Sequence, residues 1–378
     1  MAVYKIFPTK DSSIYTENTS MNTGLDQILE ASTYMYLGDP NISRYLIKFS
    51  STEISDIIIN KISGSSFKTY LNNYAAVVTG LNSDTKLYAH PISGSWDMGT
   101  GHFRNSPITS NGVSWKFQAS SGSTEWATSS FGSYATASYS TVVGGGTWYT
   151  GSNLGLDILP SQSFNYSDNI DLSIDVTNTV NTWQSNSIDS NNGFPNDGFI
   201  VKQGSNDEFN ISSENSHTFR YFSIDTNTIY PPQLEFRWDD YTFNTGSSTN
   251  TILNKAESFI NIYNNTGVYY SESIARFRIS AVPKFPDRQF ITSSYYTENF
   301  YLPENVSSYA IKDTDTNEFV IDFDSSYTKI SADETSSYFD VYMSGLEPER
   351  YYTILIKTKL DNTTKVFDED ILFKVAKG

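Results

Sequence analysis

The chain has 378 residues, a formal charge of −17 and a pI near 4.5, a length that admits two or three domains and a charge that disfavours general binding to a phosphate backbone. Cysteine is absent, which excludes disulfides, thiol chemistry and zinc–cysteine sites, and the three histidines at 90, 102 and 217 show no paired metal-ligand spacing. Hydrophobic residues make up 38% and aromatics 15%, so rings must supply much of any core, and no apolar run is long enough for a membrane helix.

The opening Met1-Ala-Val-Tyr-Lys-Ile-Phe-Pro8 lacks a basic segment followed by an apolar one, so no secretory leader is expected. From there short runs rich in Ile, Val, Tyr and Phe alternate with Ser, Thr, Asn and Gly, the all-β pattern. A short helical stretch is expected at Ser55 to Asn60. Leu172-Ser-Ile-Asp-Val176 alternates as a strand. Val176, Val180 and Trp183 recur at i, i+4 and i+7 and predict a helix that Asp175 caps. Asp197-Gly198 reads as a tight turn ahead of a strand at Phe199–Gln203, and Phe319–Phe323 alternates again.

Charge density changes near residue 238: 33 charged residues lie in the first 238 and 34 in the remaining 140, and Trp238 is the last of six tryptophans. The expected organisation is one β-sandwich over 1–238, a polar linker over 239–255 around Asn244-Thr-Gly-Ser-Ser-Thr-Asn-Thr251, and a smaller β-sandwich over 256–378 that divides again near Pro283–Pro286. Residues 99–165 carry only Arg104, Lys116, Glu125 and Asp157 as charges. A structureless loop of that length is improbable, so an excursion with its own strands, stapled by aromatic rings, is expected there.

Five segments occur in a telling order: Asp11-Ser-Ser-Ile-Tyr15 with Asn22-Thr-Gly24 and Leu29-Glu30; Ser43-Arg-Tyr-Leu-Ile-Lys-Phe49; His90-Pro-Ile-Ser-Gly-Ser-Trp-Asp97 with Asn105-Ser-Pro107; Ile174–Trp183; and Asn196-Asp-Gly-Phe-Ile-Val-Lys202. Together they resemble the DNRLRE-type (disaggregatase-related) module, which implies an antiparallel jelly-roll β-sandwich over roughly residues 9–238, related to carbohydrate-binding modules. Such modules often hold a structural calcium ion, which makes Asp11 and Glu30 the candidate metal ligands. The residues agree with the fold: Asn22-Thr-Gly24 suits a turn with φ > 0, Arg44 is placed to pair with an acidic side chain at the rim, and Trp96 and Trp183 are large enough to plug the two ends of a sandwich core. The excursion is longer and more aromatic than the family pattern.

In the C-terminal part, Gly345-Leu-Glu-Pro-Glu-Arg-Tyr-Tyr-Thr-Ile-Leu-Ile-Lys357 resembles the late hairpin of a fibronectin III-like or immunoglobulin-like sandwich, where Tyr351 or Tyr352 would form a tyrosine corner. As a whole, the opening Tyr4–Asp11, the joint Tyr221–Phe236 and Gly345–Arg350 are similar to virion structural proteins of marine tailed phages with contractile tails.

No nucleophile elbow or phosphate loop is present. Asp239-Asp240 is a carboxylate pair, but neighbours on a strand face opposite ways and do not act across one substrate. Asp313-Thr-Asp-Thr-Asn317 begins like a calcium loop but has Glu318 at the sixth position and Asp324 at the twelfth, so a hairpin turn is expected instead. Trp115, Trp126 and Trp148 either stack on sugars or other partners from an exposed platform, or fill the core of the excursion.

Three functions compete. A non-enzymatic virion component of the neck or tail would contact other virion proteins and copies of itself, without nucleic acid or membrane. A surface adhesin or capsid-decoration module would touch host glycans. A polysaccharide-degrading enzyme is disfavoured, since the sandwich module normally accompanies a separate catalytic domain. The first reading implies assembly in a host cytoplasm, where a cysteine-free fold is at no disadvantage.

Overall fold

The computed structural model describes residues 2–36, 38–62, 66–81, 85–126, 134–135, 144–149, 159–209, 211, 216–246, 252–285 and 300–378. The fold is all-β: 46% of the chain is strand and 9% helix, arranged in several mainly antiparallel sheets. The chain forms two compact units. The N-terminal unit comprises residues 6–61 and 68–235, and the C-terminal unit residues 1–5, 62–67 and 236–378. The C-terminal unit is therefore discontinuous in sequence, and Val3 lies in its hydrophobic core.

Up to residue 238 the strands are β1 (Ala2–Ile6), β2 (Pro8–Tyr15), β3 (Ile28–Tyr36), β4 (Asp39–Phe49), β5 (Phe67–Asn73), β6 (Ala75–Thr79) and β7 (Thr85–Pro91). They continue with β8 (Tyr134–Ala135), β9 (Trp148–Tyr149), β10 (Ser161–Phe164), β11 (Leu172–Asp175), β12 (Phe199–Gln203), β13 (His217–Phe222) and β14 (Gln233–Trp238). The large sheet of the N-terminal unit runs β10-β7-β12-β4-β3-β13-β6, with β2 also paired to β4. A second layer includes β5 and β11, antiparallel with Ile174 opposite Leu71.

Strand β4 explains how the layers are arranged. Every residue from Ile42 to Ile47 is buried, whereas a sheet with one wet face would alternate. Both faces of β4 are covered. On one, Tyr45 packs near Tyr221 and its hydroxyl accepts from Asn73 of β5. On the other, Ile42 and Leu46 join Ile14 and Ile200 in a cluster with Trp96, Val113, Trp115, Trp126 and Trp148. Val113, Trp115, Trp126 and Trp148 of the excursion thus cover this face of the large sheet as a third layer, while its last part, β10, is an edge strand of that sheet. The excursion has the short antiparallel pair β8–β9, and residues 127–133, 136–143 and 150–158 lie outside the described part.

Among the described residues three α-helices complete this unit: α1 (Ser51–Asp56), α2 (Thr177–Ile188) and α3 (Ser205–Phe209). Helix α1 starts earlier than the sequence suggests because the Ser50 hydroxyl caps the Glu53 N–H, and a wider turn continues it over Ile57–Lys61. Helix α2 buries Val180 and Trp183 as its periodicity predicts; its N-cap is Val176, which makes no side-chain cap, and Asp175, expected in that role, sits one residue earlier and accepts from the Thr177 N–H at 3.0 Å.

Asn22-Thr-Gly24 works by a different means from the expected φ > 0. Gly24 has no positive φ; a Cβ there would sit 2.1 Å from the Met98 carbonyl oxygen, so the glycine permits close backbone approach. The Asn22 amide donates to Met98 and Val113 carbonyls at 2.7 and 2.9 Å and accepts from the Gly101 N–H at 2.8 Å. One buried side chain therefore anchors the start of the excursion. Gly198 has the expected positive φ, 95°, just before β12.

The C-terminal unit contains β15 (Ser258–Ile262), β16 (Val268–Tyr270), β17 (Ile274–Pro283), β18 (Ser308–Asp313), β19 (Phe319–Ile321), β20 (Ser331–Ala332), β21 (Ser337–Tyr342), β22 (Arg350–Leu360) and β23 (Thr363–Ala376). One sheet runs β15-β17-β21-β20 and the other β16-β23-β22-β18-β19. The first matches the ABED order of an immunoglobulin sheet and the second extends its CFG order. Phe339 stacks between Tyr309 and Phe277, at 4.2 and 5.4 Å. This core takes residues from both sides of 283–286, so the expected subdivision there is not present.

The segment expected to be a linker is built into this unit where it is described. Thr242 and Asn244 exchange backbone hydrogen bonds with Ala332, and buried Leu253 bonds to Tyr301; residues 247–251 lie outside the described part.

The tyrosine corner belongs to Tyr352. Its hydroxyl donates to the Glu347 carbonyl at 3.0 Å, while Tyr351, the other candidate for that role, points to the outer face and is half exposed. Tyr352→Phe is expected to cost about 1 kcal/mol because it leaves a partly buried carbonyl without its donor, and Tyr351→Phe less than about 0.5 kcal/mol. Chemical denaturation of the two variants checks the difference; equal losses would contradict the assignment.

Candidate functional site

Arg44 of β4 and Lys202 of β12 lie on the excursion-facing side of the large sheet, in line with Leu46 and Ile200, which pair across the two strands. Both cations meet Glu208, which α3 delivers just after β12 ends. Arg44 donates through Nε and Nη2 to the two Glu208 oxygens at 3.0 and 2.8 Å, and Lys202 Nζ lies 3.0 Å from the second. The remaining Arg44 nitrogen donates to the Gly145 carbonyl. The Arg44 guanidinium sits 4.8 Å from the Trp115 ring and 5.4 Å from Trp148.

These three side chains are 0–3% exposed. Two cations thus share one carboxylate away from water. Desolvation pulls the Lys202 pKa down, with Glu208 opposing and Arg44 reinforcing the fall. His90 packs at a tilt against Trp148, ring centroids 5.4 Å apart. Burial first, then Lys202 and Arg44, hold its imidazole well below the usual pKa, so it is neutral. Its Nδ1 has no hydrogen-bond partner among the described residues.

This geometry corrects two expectations. Arg44 is paired in the interior, not at the rim. Trp115, Trp126 and Trp148 are 0, 2 and 5% exposed, so they offer no open ring face to a sugar; they fill the core of the excursion and cover the ion cluster. Lys202, Glu208 and His90 were not singled out from sequence. The signal was there: a cation inside each of two continuous apolar runs, which reads as strands buried on both faces and requires a counter-charge.

Of the other candidate residues, Trp96 shares the cluster of Trp115, Trp126 and Trp148. Trp96 is buried, with its indole N–H donating to the Asp197 carbonyl at 2.8 Å. Trp183 is buried against Phe199 at 4.7 Å. Asp11 is buried and accepts from the Ile224 N–H, whereas Glu30 is ion-paired with Arg220 at 2.9 Å. Among the described residues no three His, Asp or Glu side chains converge as a metal site would require. Asp11 and Glu30 are each taken up by another partner within the fold. Asp239 is exposed and accepts from the Tyr241 N–H. Asp313 lies at the β18–β19 hairpin, where it accepts from Arg350 and from the N–H groups of Asp315 and Thr316. The hairpin reading of that segment fits its pairing.

No protein-family model matches the sequence, and no curated protein matches it.

Glu208→Gln leaves two buried cations facing a neutral amide and is expected to cost about 3–5 kcal/mol. Arg44→Lys is expected to be nearly as costly, since lysine has neither the two-pronged donor nor the flat face for Trp115. Urea unfolding followed by tryptophan fluorescence measures both, and losses below about 1 kcal/mol, the range of exposed pairs, would contradict the assignment.

Burial raises the Asp11 carboxyl from 3.8 to about 7, against the Ile224 hydrogen bond and with help from Asp225. The folded chain then keeps a proton that the unfolded chain releases. The contribution is fully present below pH 3.8 and is lost as pH rises through about 7. Asp11→Asn keeps an oxygen for Ile224 and is expected to flatten this fall, so its urea midpoint should exceed the parent's most clearly above pH 7. A constant difference across that range would refute the assignment.

Proposed function

We propose that the chain is a non-enzymatic structural component of a contractile-tailed phage virion, in the neck or tail, acting through contacts with other virion proteins and with copies of itself. The resemblances of the opening strand, the joint at 221–236 and the Gly345–Arg350 turn support the reading. The observation that carries it is the character of the C-terminal unit's outer faces.

Val268 and Tyr351 flank Lys374 across neighbouring strands, with Tyr270 and Leu372 on the same face. All four apolar side chains are more than 40% exposed. On the other sheet, exposed Phe259 and Val282 are directly paired. Exposed rings beside aliphatic residues are the composition that protein interfaces favour. The interior ion cluster serves the same reading: Arg44, Lys202 and Glu208 spend their hydrogen bonds on each other and on backbone, which makes them architectural.

Mass spectrometry of purified virions tests the proposal. The chain is expected among the particle proteins, in several copies, because closed assemblies repeat their subunits. Its absence from the particle, with the protein free in infected cells, would refute it.

A further inference from the structure

Three places in the sequence join an asparagine or aspartate to a following glycine: Asn111-Gly112, Asn192-Gly193 and Asp197-Gly198. Such pairs carry a chemistry of their own. The glycine backbone nitrogen can attack the side-chain carbonyl carbon of the residue before it. A C–N bond forms, a cyclic imide closes, and the amide nitrogen of an asparagine leaves as ammonia. Water then opens the ring at either carbonyl and gives aspartate or isoaspartate. Glycine favours the closure because it has no side chain to obstruct it. The reaction needs an asparagine side chain free to swing and a glycine nitrogen free to attack.

The fold treats the three pairs differently. Asn111 is held at both ends of its amide: the oxygen accepts from the Thr100 N–H at 3.0 Å and the nitrogen donates to the Thr100 hydroxyl at 2.7 Å. Gly112 is buried against Asn22 and Gly99. Asp197 accepts from the Gly94 N–H at 3.2 Å, and the Gly198 N–H is spent on Asn196 Oδ1 at 3.1 Å. Asn192 lies in the exposed turn between α2 and β12. Its backbone N–H donates to the Asp189 carbonyl at 2.9 Å, but neither its side chain nor the Gly193 N–H has a hydrogen-bond partner among the described residues. Exposure alone does not set it apart, since neighbouring Asn191 is exposed too and is tied to Asp189 Oδ1 by its N–H and its amide, at 3.0 and 3.1 Å.

Gly193 is imposed by the fold. Its φ is 88°, and a Cβ there would lie 2.5 Å from the Thr182 carbonyl oxygen of α2. The way out of α2 therefore requires the residue that makes Asn192 reactive. We propose that Asn192 is a site of spontaneous modification, converting to aspartate and isoaspartate in the folded chain while Asn111 is protected. The product places a negative charge beside Asp189 at the C-terminal end of α2, where the helix dipole disfavours it. Isoaspartate also lengthens the main chain two residues before Phe194, whose buried ring stacks on Tyr149 of β9 at 4.4 Å. The proposal is independent of the virion reading.

The test is a time course of the full chain in warm neutral buffer, folded and unfolded in guanidinium, followed by chymotryptic digestion and mass spectrometry. Cleavage after Trp183 and Phe194 isolates Asn192, and cleavage after Phe103 and Trp115 isolates Asn111. In the folded chain Asn192 is expected to convert at least about tenfold faster than Asn111, whose two hydrogen bonds must open first. In guanidinium the two rates are expected to converge. Both isoaspartate and aspartate are expected, and Asn192→Gln is expected to abolish conversion in its peptide. Equal rates at the two sites of the folded chain would overturn the proposal. So would an Asn192 that reacts only when the chain is unfolded, aspartate as the sole product, or undiminished conversion in the Asn192→Gln peptide.

Discussion

Two buried cations share one carboxylate at the centre of the N-terminal unit, and the third layer of that unit exists to keep water from them. A bare Arg44 in the middle of an apolar strand would be ruinous; with Glu208 bonded at both oxygens, Gly145 accepting and Trp115 and Trp148 against its flat faces, every direction around the guanidinium is filled. Pairs of this kind add little net stability compared with an apolar replacement, but removing one member is severe. Their effect is to fix which segments must meet. Arg44 comes from β4, Glu208 from 164 residues later, and Gly145 from the excursion between them.

The C-terminal unit handles charge in the opposite way. Arg276–Asp340 and Arg278–Asp333 lie on outer faces, all four side chains partly exposed, while Arg350 meets the buried Asp313. The Arg278 hydrogen bonds hold the Asp333 carboxyl at about 2, yet solvent screening keeps the worth of such pairs small. Stacked rings and the Tyr352 corner organise this unit. The shift in charge density near residue 238 is thus a shift in where charge is placed: few charges, some of them interior, before it, and many on the surface after it.

Much of the fold was legible because strands alternate with period two and turns have their own chemistry. Leu172–Asp175, the Asp197-Gly198 turn, helix α2 and the Phe319 strand all carry signals within a few residues. What was hidden depends on partners far away. Tyr351 and Tyr352 are adjacent and identical, and only the phase of β22 against the core decides which one bonds to Glu347. Arg44 declared that it needed an acid but not that Glu208 would meet it indoors.

The discontinuity of the C-terminal unit has a consequence for how the molecule is made. Val3 belongs to a core whose other members run from Leu253 to Val375, and the Lys5 ammonium donates to the Val320 carbonyl across 315 positions of sequence. The strand β1 is made before any of these partners and has no sheet neighbour until β14 (Gln233–Trp238) follows, with its core completed later still. Contacts of such long sequence separation form slowly.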